Sequence, residues 1–338
     1  MLTSTSAYLT TTSVKGAHIK DHDQDREDVE FFSDAIVGTV IVIMSSISLL
    51  SNAYVVLIAK KTKLFGYFYG HLILHRSAVE ALNSLVAIVF FAPYILFAFD
   101  MPRVANVAVS AFFVFNLSSA YVLHLVISIN RCFAAYFALP YGSLFEKRGS
   151  VALTSVLVVL IAAIITYINF YEPCSWVIYS RHVYDIQPVG CESSYLFVKI
   201  FEKRMLFVVV ILWSAFTFLS LAIDLLTFVQ IMKLARVFKQ SNQHDFFHKN
   251  LRFFLHTFIL NIIVCSGVAL THMFADVFEG PNSDPNYFVR FWLANFFVML
   301  GFVVNGIAPI LLNSELQPCR SQVIDSSTSP TRRQVQKL

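Results

Sequence analysis

Seven long apolar stretches, separated by short polar segments, constrain what this 338-residue chain can fold into. About 18 apolar residues in a helix are enough to cross the roughly 30 Å hydrocarbon core of a bilayer. Inside lipid every backbone N–H and C=O group needs a partner, and a helix supplies one for each within its own length. The pattern therefore predicts an all-α membrane protein. The stretches are 34–59, 70–99, 104–128, 151–170, 205–232, 253–277 and 288–313.

The composition agrees with a membrane protein and leaves little room for a second, soluble domain. Hydrophobic residues make up 57% of the chain and charged residues 14%, whereas soluble domains have about 25% charged residues. We expect a disordered extracellular tail over 1–33, a seven-transmembrane domain over 34–313 and a short cytoplasmic tail over 314–338. No apolar signal sequence precedes the first stretch, so that stretch is expected to start membrane insertion itself.

The distribution of Lys and Arg predicts the orientation in the membrane. Fifteen lie in the first, third and fifth connecting segments and the C-terminal tail, and nine lie on the opposite side. The side richer in Lys and Arg is usually cytoplasmic. The N-terminus is therefore expected outside and the C-terminus inside. The net charge of +4 is too small to indicate a nucleic-acid partner.

The five cysteines fall on different sides of the predicted membrane. Cys174 and Cys191 lie between the fourth and fifth stretches, on the outer side, where a disulfide can persist. No other outer cysteine competes, so we expect these two to be bonded rather than free. Cys319 follows Pro318 at the inner edge of the seventh stretch. It is a candidate palmitoylation site, and a plain interfacial cysteine is the alternative.

The inner end of the third stretch carries the most specific motif. Asn130 and Arg131 are followed by Tyr141, ten residues after the arginine, and by Phe145, four residues later. This region resembles the arginine motif and second inner loop of rhodopsin-like receptors. It is most similar to the nematode chemosensory serpentine receptors of class X. The family's proline is displaced, because Ala138 holds its position and Pro140 comes two residues later.

Other segments extend the resemblance over about residues 35–320. Asn52 is similar to the family's first-helix asparagine, and Asp224 begins a similar Asp-x-x-Thr at the end of the fifth stretch. Arg252 precedes Phe253-Phe254-Leu255-His256, similar to the start of the family's helix six, and Asn305 and Pro309 resemble its helix-seven end. The resemblance implies a G-protein-coupled chemoreceptor in the plasma membrane, including that of sensory cilia. The residues expected to contact the G protein are Asn130, Arg131, Tyr141, Phe145 and Arg252.

Three parts of rhodopsin-like receptors are missing. The cysteine that ties helix three to the second outer loop is replaced by Asn106, so that bridge cannot form. The sixth stretch has neither the proline nor the tryptophan of the usual switch, and the helix-seven motif is degraded. Asn130 also cannot act as a counter-ion for Arg131. Any charged partner must come from elsewhere, with Asp224 and Asp245 as candidates. The simpler interpretation of Arg131 is an interfacial base that extends to lipid phosphates.

The second stretch is unusually polar. Arg76 and Glu80 are four residues apart, so they share one helix face. A single charge at the bilayer centre costs at least about 2.5–3.5 kcal/mol on insertion scales, so pairing, protonation or contact with water is expected. Glu80 lies 28 residues after Asn52, close to the position of a sodium-binding aspartate in rhodopsin-like receptors. An ion pair inside the bundle is the preferred interpretation, and an ion site is the alternative.

Candidate ligand contacts lie in the outer halves of the stretches. His272 and Asp276 share one helix face near the outer end of the sixth stretch. An interfacial cap or aromatic belt is the alternative for these side chains, and it is favoured for Trp292. The full set is Tyr121, His272, Asp276, Trp292 and Asn295.

The sequence favours a receptor over the other function classes. No nucleophile elbow, phosphate-binding loop, dinucleotide motif or zinc-protease motif is present, so we predict neither an enzyme nor a cofactor. His244 and His248 lack a third ligand, so no metal site is expected. A small-solute transporter or channel using the polar second stretch is the alternative, but no internal repeat supports it. The expected partners are a heterotrimeric G protein, an unidentified small molecule or peptide, and the lipid bilayer.

Overall fold

Helices make up most of the computed structural model of the chain. It describes residues 15–62, 67–99, 101–137, 148–170, 177–181, 184–188, 196–238, 258–267, 287–293 and 295–312. The helices are α1 (Lys15–Thr62), α2 (Tyr67–Val86), α3 (Ala92–Leu96), α4 (Arg103–Tyr136), α5 (Arg148–Phe170), α6 (Leu196–Phe238), α7 (Phe258–Gly267), α8 (Tyr287–Leu293) and α9 (Asn295–Leu312).

The predicted all-α membrane fold is confirmed. Five helical spans in the described part of the chain are long and apolar enough to cross a membrane, and they coincide with the first five apolar stretches. Two shorter apolar helices, α7 and α9, lie within the sixth and seventh stretches. Because the core of a bilayer offers backbone groups no other partners, each of these helices satisfies its own.

The first helix begins earlier than expected. α1 starts at Lys15, so residues 15–33, for which the composition predicts disorder, continue the first spanning helix. No glycine or proline lies between residues 17 and 37. Once a helix has formed, each further residue adds one backbone hydrogen bond without a new nucleation cost. The long apolar helix therefore provides a nucleus from which the charged segment extends.

A π-helical turn at Ala87–Phe91 joins α2 to α3. It lies just before Pro93, whose ring clashes with the preceding turn of an α-helix and which has no N–H to donate. The backbone N–H of Ala92 donates to the carbonyl of Ala87, five residues back, as in a π-helix. The wider turn accommodates the proline and lets one span continue from Phe68 to Leu96.

A two-stranded antiparallel hairpin lies between α5 and α6. Its strands are β1 (Val177–Ser180) and β2 (Asp185–Pro188), with Ser180 opposite Asp185. In the turn, Tyr184 has a φ of 53°, in the left-handed region that is uncommon for a residue other than glycine. The hairpin packs against α4.

Helix α4 is the most buried of the five long apolar spans, and it packs against α2, α5 and α6. α1 packs against α2 and α9. One apolar cluster includes Val37, Ile41, Phe91, Tyr179 and Phe291, and a second includes Val55, Leu72, Leu123 and Ile127. We call the side of the first cluster the Asp34 end of the bundle and the opposite side the Arg131 end. In α1 and α2, buried polar residues lie between the two clusters.

Candidate functional site

A buried ion pair on α2 lies at the centre of the polar region. Arg76 and Glu80 are only 5% and 1% exposed. The Nε atom of Arg76 donates to Oε1 of Glu80 over 3.0 Å. Charges in a bundle need such pairing, because lipid offers nothing else to offset their lost hydration. The structure thus has the arrangement that the sequence favours for these two residues.

The network continues from Arg76 across the bundle. Nη1 of Arg76 contacts Nδ1 of His124 on α4, and Nε2 of His124 contacts Oδ1 of Asn261 on α7. Nδ2 of Asn261 then donates to Oδ2 of Asp224 on α6 over 2.6 Å. His124, Asn261 and Asp224 are 3%, 0% and 0% exposed.

The hydrogen bonds that lead from Arg76 to Asp224 all run in one direction. A guanidinium can only donate, so Nδ1 of His124 must accept from Arg76. The imidazole is then neutral with its proton on Nε2, which donates to the Asn261 carbonyl oxygen. This leaves the Asn261 amide nitrogen to donate to the Asp224 carboxylate. Residues from α2, α4, α7 and α6 are therefore joined by one directed series of hydrogen bonds, which we call the polar relay: Arg76, His124, Asn261 and Asp224.

A second group of buried polar side chains connects α1, α2 and α9. Nδ2 of Asn52 donates to the Ser48 carbonyl over 3.0 Å and to the Phe302 carbonyl over 3.1 Å. Nδ2 of Asn305 donates to Oδ1 of Asn52 over 3.4 Å. Ser84 donates to the Ser48 hydroxyl over 2.7 Å. Asn52 thereby joins the first and seventh spans near the ion pair of the second.

Arg131 lies at the end of α4 and is partly buried. Its Nη2 donates to the hydroxyl of Tyr69 on α2, and its guanidinium carbon lies 5.3 Å from the centre of the Tyr69 ring. That distance is within the range of a cation–π contact. The neighbouring Asn130 is 3% exposed. The contact with Tyr69 was not predicted. Asp224, a candidate partner of Arg131, accepts from Asn261.

At the other end of the bundle, Asn106 joins α4 to the hairpin. Its Nδ2 donates to the Tyr179 carbonyl over 3.0 Å, and its Oδ1 accepts from the Tyr179 N–H over 2.9 Å. The amide side chain pairs with the backbone of Tyr179 as a neighbouring strand would. The residue that replaces a bridging cysteine therefore makes the same connection, between the third span and the segment after the fourth, without a covalent bond.

Asp34 joins the hairpin to α1. Its Oδ2 accepts from Nε of Arg181 over 2.7 Å, and its Oδ1 accepts from the Tyr184 hydroxyl over 2.7 Å. Burial raises the pKa of Tyr184 above its ordinary value, so the hydroxyl keeps the proton that it donates. Asn295 on α9 donates to the Tyr184 carbonyl over 2.8 Å. The hairpin is thus bonded to three of the spans.

Three of the proposed ligand contacts lie in the described part of the chain. Tyr121 stacks on Trp213 of α6, with ring centres 5.5 Å apart. Trp292 packs against Phe291 and Phe296 in an aromatic cluster, with centres 5.7 Å and 5.0 Å away. Asn295 binds the hairpin, as described above. Tyr121, Trp292 and Asn295 therefore each contact different neighbours in the structure.

Several predicted residues lie outside the described residues: Tyr141, Phe145, Cys174, Cys191, Arg252, His272, Asp276 and Cys319. Within the described part of the chain, no group of three His, Cys, Asp or Glu residues is arranged to hold a metal ion. Sequence reasoning missed Tyr69, His124 and Asn261. A polar residue inside an apolar stretch is the signal that could have identified His124 and Asn261.

Comparison with known proteins identifies the family. The sequence pattern of the family described as "Serpentine type 7TM GPCR chemoreceptor Srx" matches residues 42–313, which include nearly all of the seven apolar stretches. The chain belongs to this family. A Caenorhabditis elegans relative described as "Serpentine receptor class X 45" is 22% identical over 321 residues, which cover 89% of this chain and 86% of the relative.

Membership settles the class of protein. The Srx family is a class of serpentine chemoreceptors, not a family of enzymes, and its members are multi-pass membrane proteins. The resemblance that the sequence motifs indicated is therefore confirmed. The structure adds three features of this Srx chain: the polar relay, the Arg131–Tyr69 contact and the attachment of the hairpin.

Proposed function

We propose that this Srx chain is a G-protein-coupled chemoreceptor of the plasma membrane. A small molecule or a peptide binds in the half of the bundle that carries Asp34. A heterotrimeric G protein binds at the Arg131 end. The excess of Lys and Arg on the Arg131 side supports a cytoplasmic location for that end.

The conformation of Arg131 is the observation that carries the proposal. A basic residue that merely neutralises lipid phosphates extends away from the bundle toward the head groups. Arg131 instead lies over the Tyr69 ring and donates to its hydroxyl, so it occupies the gap between α2 and α4. In receptors of this layout, that position forms the floor of the cleft that receives the G protein. Tyr141, Phe145 and Arg252 are proposed as further walls of that cleft.

The test compares Arg131→Ala and Arg131→Lys with Arg148→Ala. Arg148 begins α5 and is exposed, so it serves as a matched basic residue with no proposed role in the cleft. We expect Arg131→Ala to reduce second-messenger production to background at matched surface expression, and Arg148→Ala to leave it unchanged. Both ligand-free signalling and the response to a panel of metabolites and peptides are measured. Equal signalling by Arg131→Ala and the wild type would contradict the proposal.

The ligand cavity is proposed to be bounded by Tyr121, with His272, Asp276, Trp292 and Asn295 nearer its mouth. The stacking of Tyr121 on Trp213 supports this, because it brings an aromatic surface from α4 and one from α6 together. A Cys174–Cys191 disulfide is proposed to close the segment that contains the hairpin. Palmitoylation of Cys319 is proposed at the cytoplasmic face.

A transporter that uses the polar residues of the second span has less support. Arg76 binds both Glu80 and His124, so the charged groups of the second span are engaged with the bundle. A solute path needs such groups to face water or the solute. The family comparison also indicates a receptor.

A further inference from the structure

Asn261 occupies a special place in the bundle, because it bonds α7 to two other spans at once. Its carbonyl oxygen accepts from His124 on α4, and its amide nitrogen donates to Asp224 on α6. All three side chains are 3% exposed or less. Displacing α7 would leave these buried polar groups without partners, which carries an energetic cost.

The polar relay also has an internal requirement. Because Arg76 donates to Nδ1 of His124, only Nε2 of His124 can donate to Asn261. The acceptor and donor of the Asn261 amide are thereby assigned to fixed partners. The arrangement tolerates one orientation of the Asn261 side chain, and it connects the position of α7 to the ion pair on α2.

We propose that Asn261 is the positioning residue that holds α7 against α4 and α6 in the resting receptor, and that breaking the polar relay at Asn261 is a step of activation. This inference rests on the proposed receptor function and adds to it a named switch. The sixth stretch has neither the proline nor the tryptophan of the usual helix-six switch. The hydrogen bonds of Asn261 provide a different switch in the same helix. A ligand that favours a displaced α7 then needs only to overcome the bonds of one amide.

The central experiment is a reciprocal exchange. Asn261→Asp places two carboxylates side by side, so it replaces an attraction by a repulsion while changing little volume. Adding Asp224→Asn restores a donor opposite the new carboxylate, which still accepts from His124. We expect Asn261→Asp to raise ligand-independent second-messenger production about fivefold, within the usual range of coupling between sites. The double variant is expected to return to the wild-type level.

Two further variants guard against effects on folding. Asn261→Leu removes both bonds without adding a charge, and it is expected to raise ligand-independent signalling as well. Asn116→Leu is the matched control, because Asn116 is 3% exposed and its amide donates over 3.0 Å within its own helix, to the Phe112 carbonyl. It is expected to leave signalling unchanged. All variants are compared at equal surface level in cells that co-express a panel of Gα subunits.

A second readout separates this inference from the proposed function. Purified receptor in lipid nanodiscs is digested with trypsin, and cleavage at Lys249 and Arg252, between α6 and α7, is timed. Faster cleavage in Asn261→Asp, with a return to the wild-type rate in the double variant, supports the switch. This holds even if neither the wild-type receptor nor any variant signals. A complete lack of signalling would overturn only the proposed function. Unchanged cleavage and signalling in both Asn261→Asp and Asn261→Leu overturn the switch, as does an equal effect of Asn116→Leu.

Discussion

Single residues in this receptor carry charge into a region that lipid surrounds. Arg76 and Glu80 are almost completely buried, and their ion pair offsets part of the cost of leaving water. Removing one partner leaves the other charge uncompensated, which typically costs about 3–5 kcal/mol, whereas removing both leaves no charge. The free-energy cost of a mutation here therefore depends on whether an unpaired charge remains, rather than on which side chain is removed.

We expect Glu80→Ala to reduce surface expression more than the double variant Arg76→Ala/Glu80→Ala. Flow cytometry of an epitope-tagged receptor measures the surface level. Asn83→Ala is the control, because Asn83 is completely buried on the same helix and its side chain has no hydrogen-bond partner among the described residues. If the double variant is expressed as poorly as the single one, the two residues do not stabilise each other.

The sequence predicted some of these contacts and not others. The pairing of Arg76 with Glu80 follows from helix geometry, because residues four apart face the same way. The contact of His124 with Asn261 joins residues 137 apart, and no local rule relates them. Likewise, Tyr69 and Arg131 meet only because α2 and α4 pack together. Contacts within one helix were thus predictable, and contacts between helices required the packing of the bundle.

At the scale of elements, α1 and α9 approach each other closely at Gly306. A Cβ atom on Gly306 would lie 2.8 Å from the Cβ of Ser51 and 3.0 Å from the backbone nitrogen of Asn52. Small residues at such crossings let helix backbones approach, and van der Waals packing then drives association in lipid. The bond from Asn52 to the Phe302 carbonyl depends on this close approach.

Gly306→Ala is expected to destabilise the receptor by about 1–3 kcal/mol, because the added methyl group overpacks the crossing of α1 and α9. The measurement is the midpoint of thermal unfolding of purified receptor. Gly301→Ala, five residues earlier in the same helix, is the control, since its Cβ would meet Val264 at an ordinary 3.4 Å. A similar midpoint for both variants would show that the crossing at Gly306 can relax.

The positions of the spans were predictable because apolar runs of this length have one stable form in lipid. The start of α1 and the hairpin were not. Charged residues 15–33 predict disorder on composition, yet they extend a helix that is already nucleated. The hairpin lies in a polar segment, and its strands pair over only four residues each. Its position depends on Asn106 and Asp34, which belong to other elements.

At the scale of the whole molecule, the orientation in the membrane decides which end meets the ligand. The asymmetry of 15 Lys and Arg residues against nine predicts that the Asp34 end is extracellular. We expect an epitope tag placed before Asp34 to be labelled on intact cells, and a tag after Leu338 to be labelled only after permeabilisation. The opposite labelling pattern would place Arg131 outside the cell and exclude its proposed contact with a G protein.

The attachment of the hairpin through Asn106 affects how the contact responds to redox conditions and how quickly it forms. A disulfide at this place would need an oxidising compartment to form, and uncatalysed it would rearrange only over minutes to hours. The paired bonds between Asn106 and the Tyr179 backbone form as soon as the two segments meet, whether thiols are oxidised or reduced. The attachment of the hairpin to α4 is therefore expected to persist under reducing conditions.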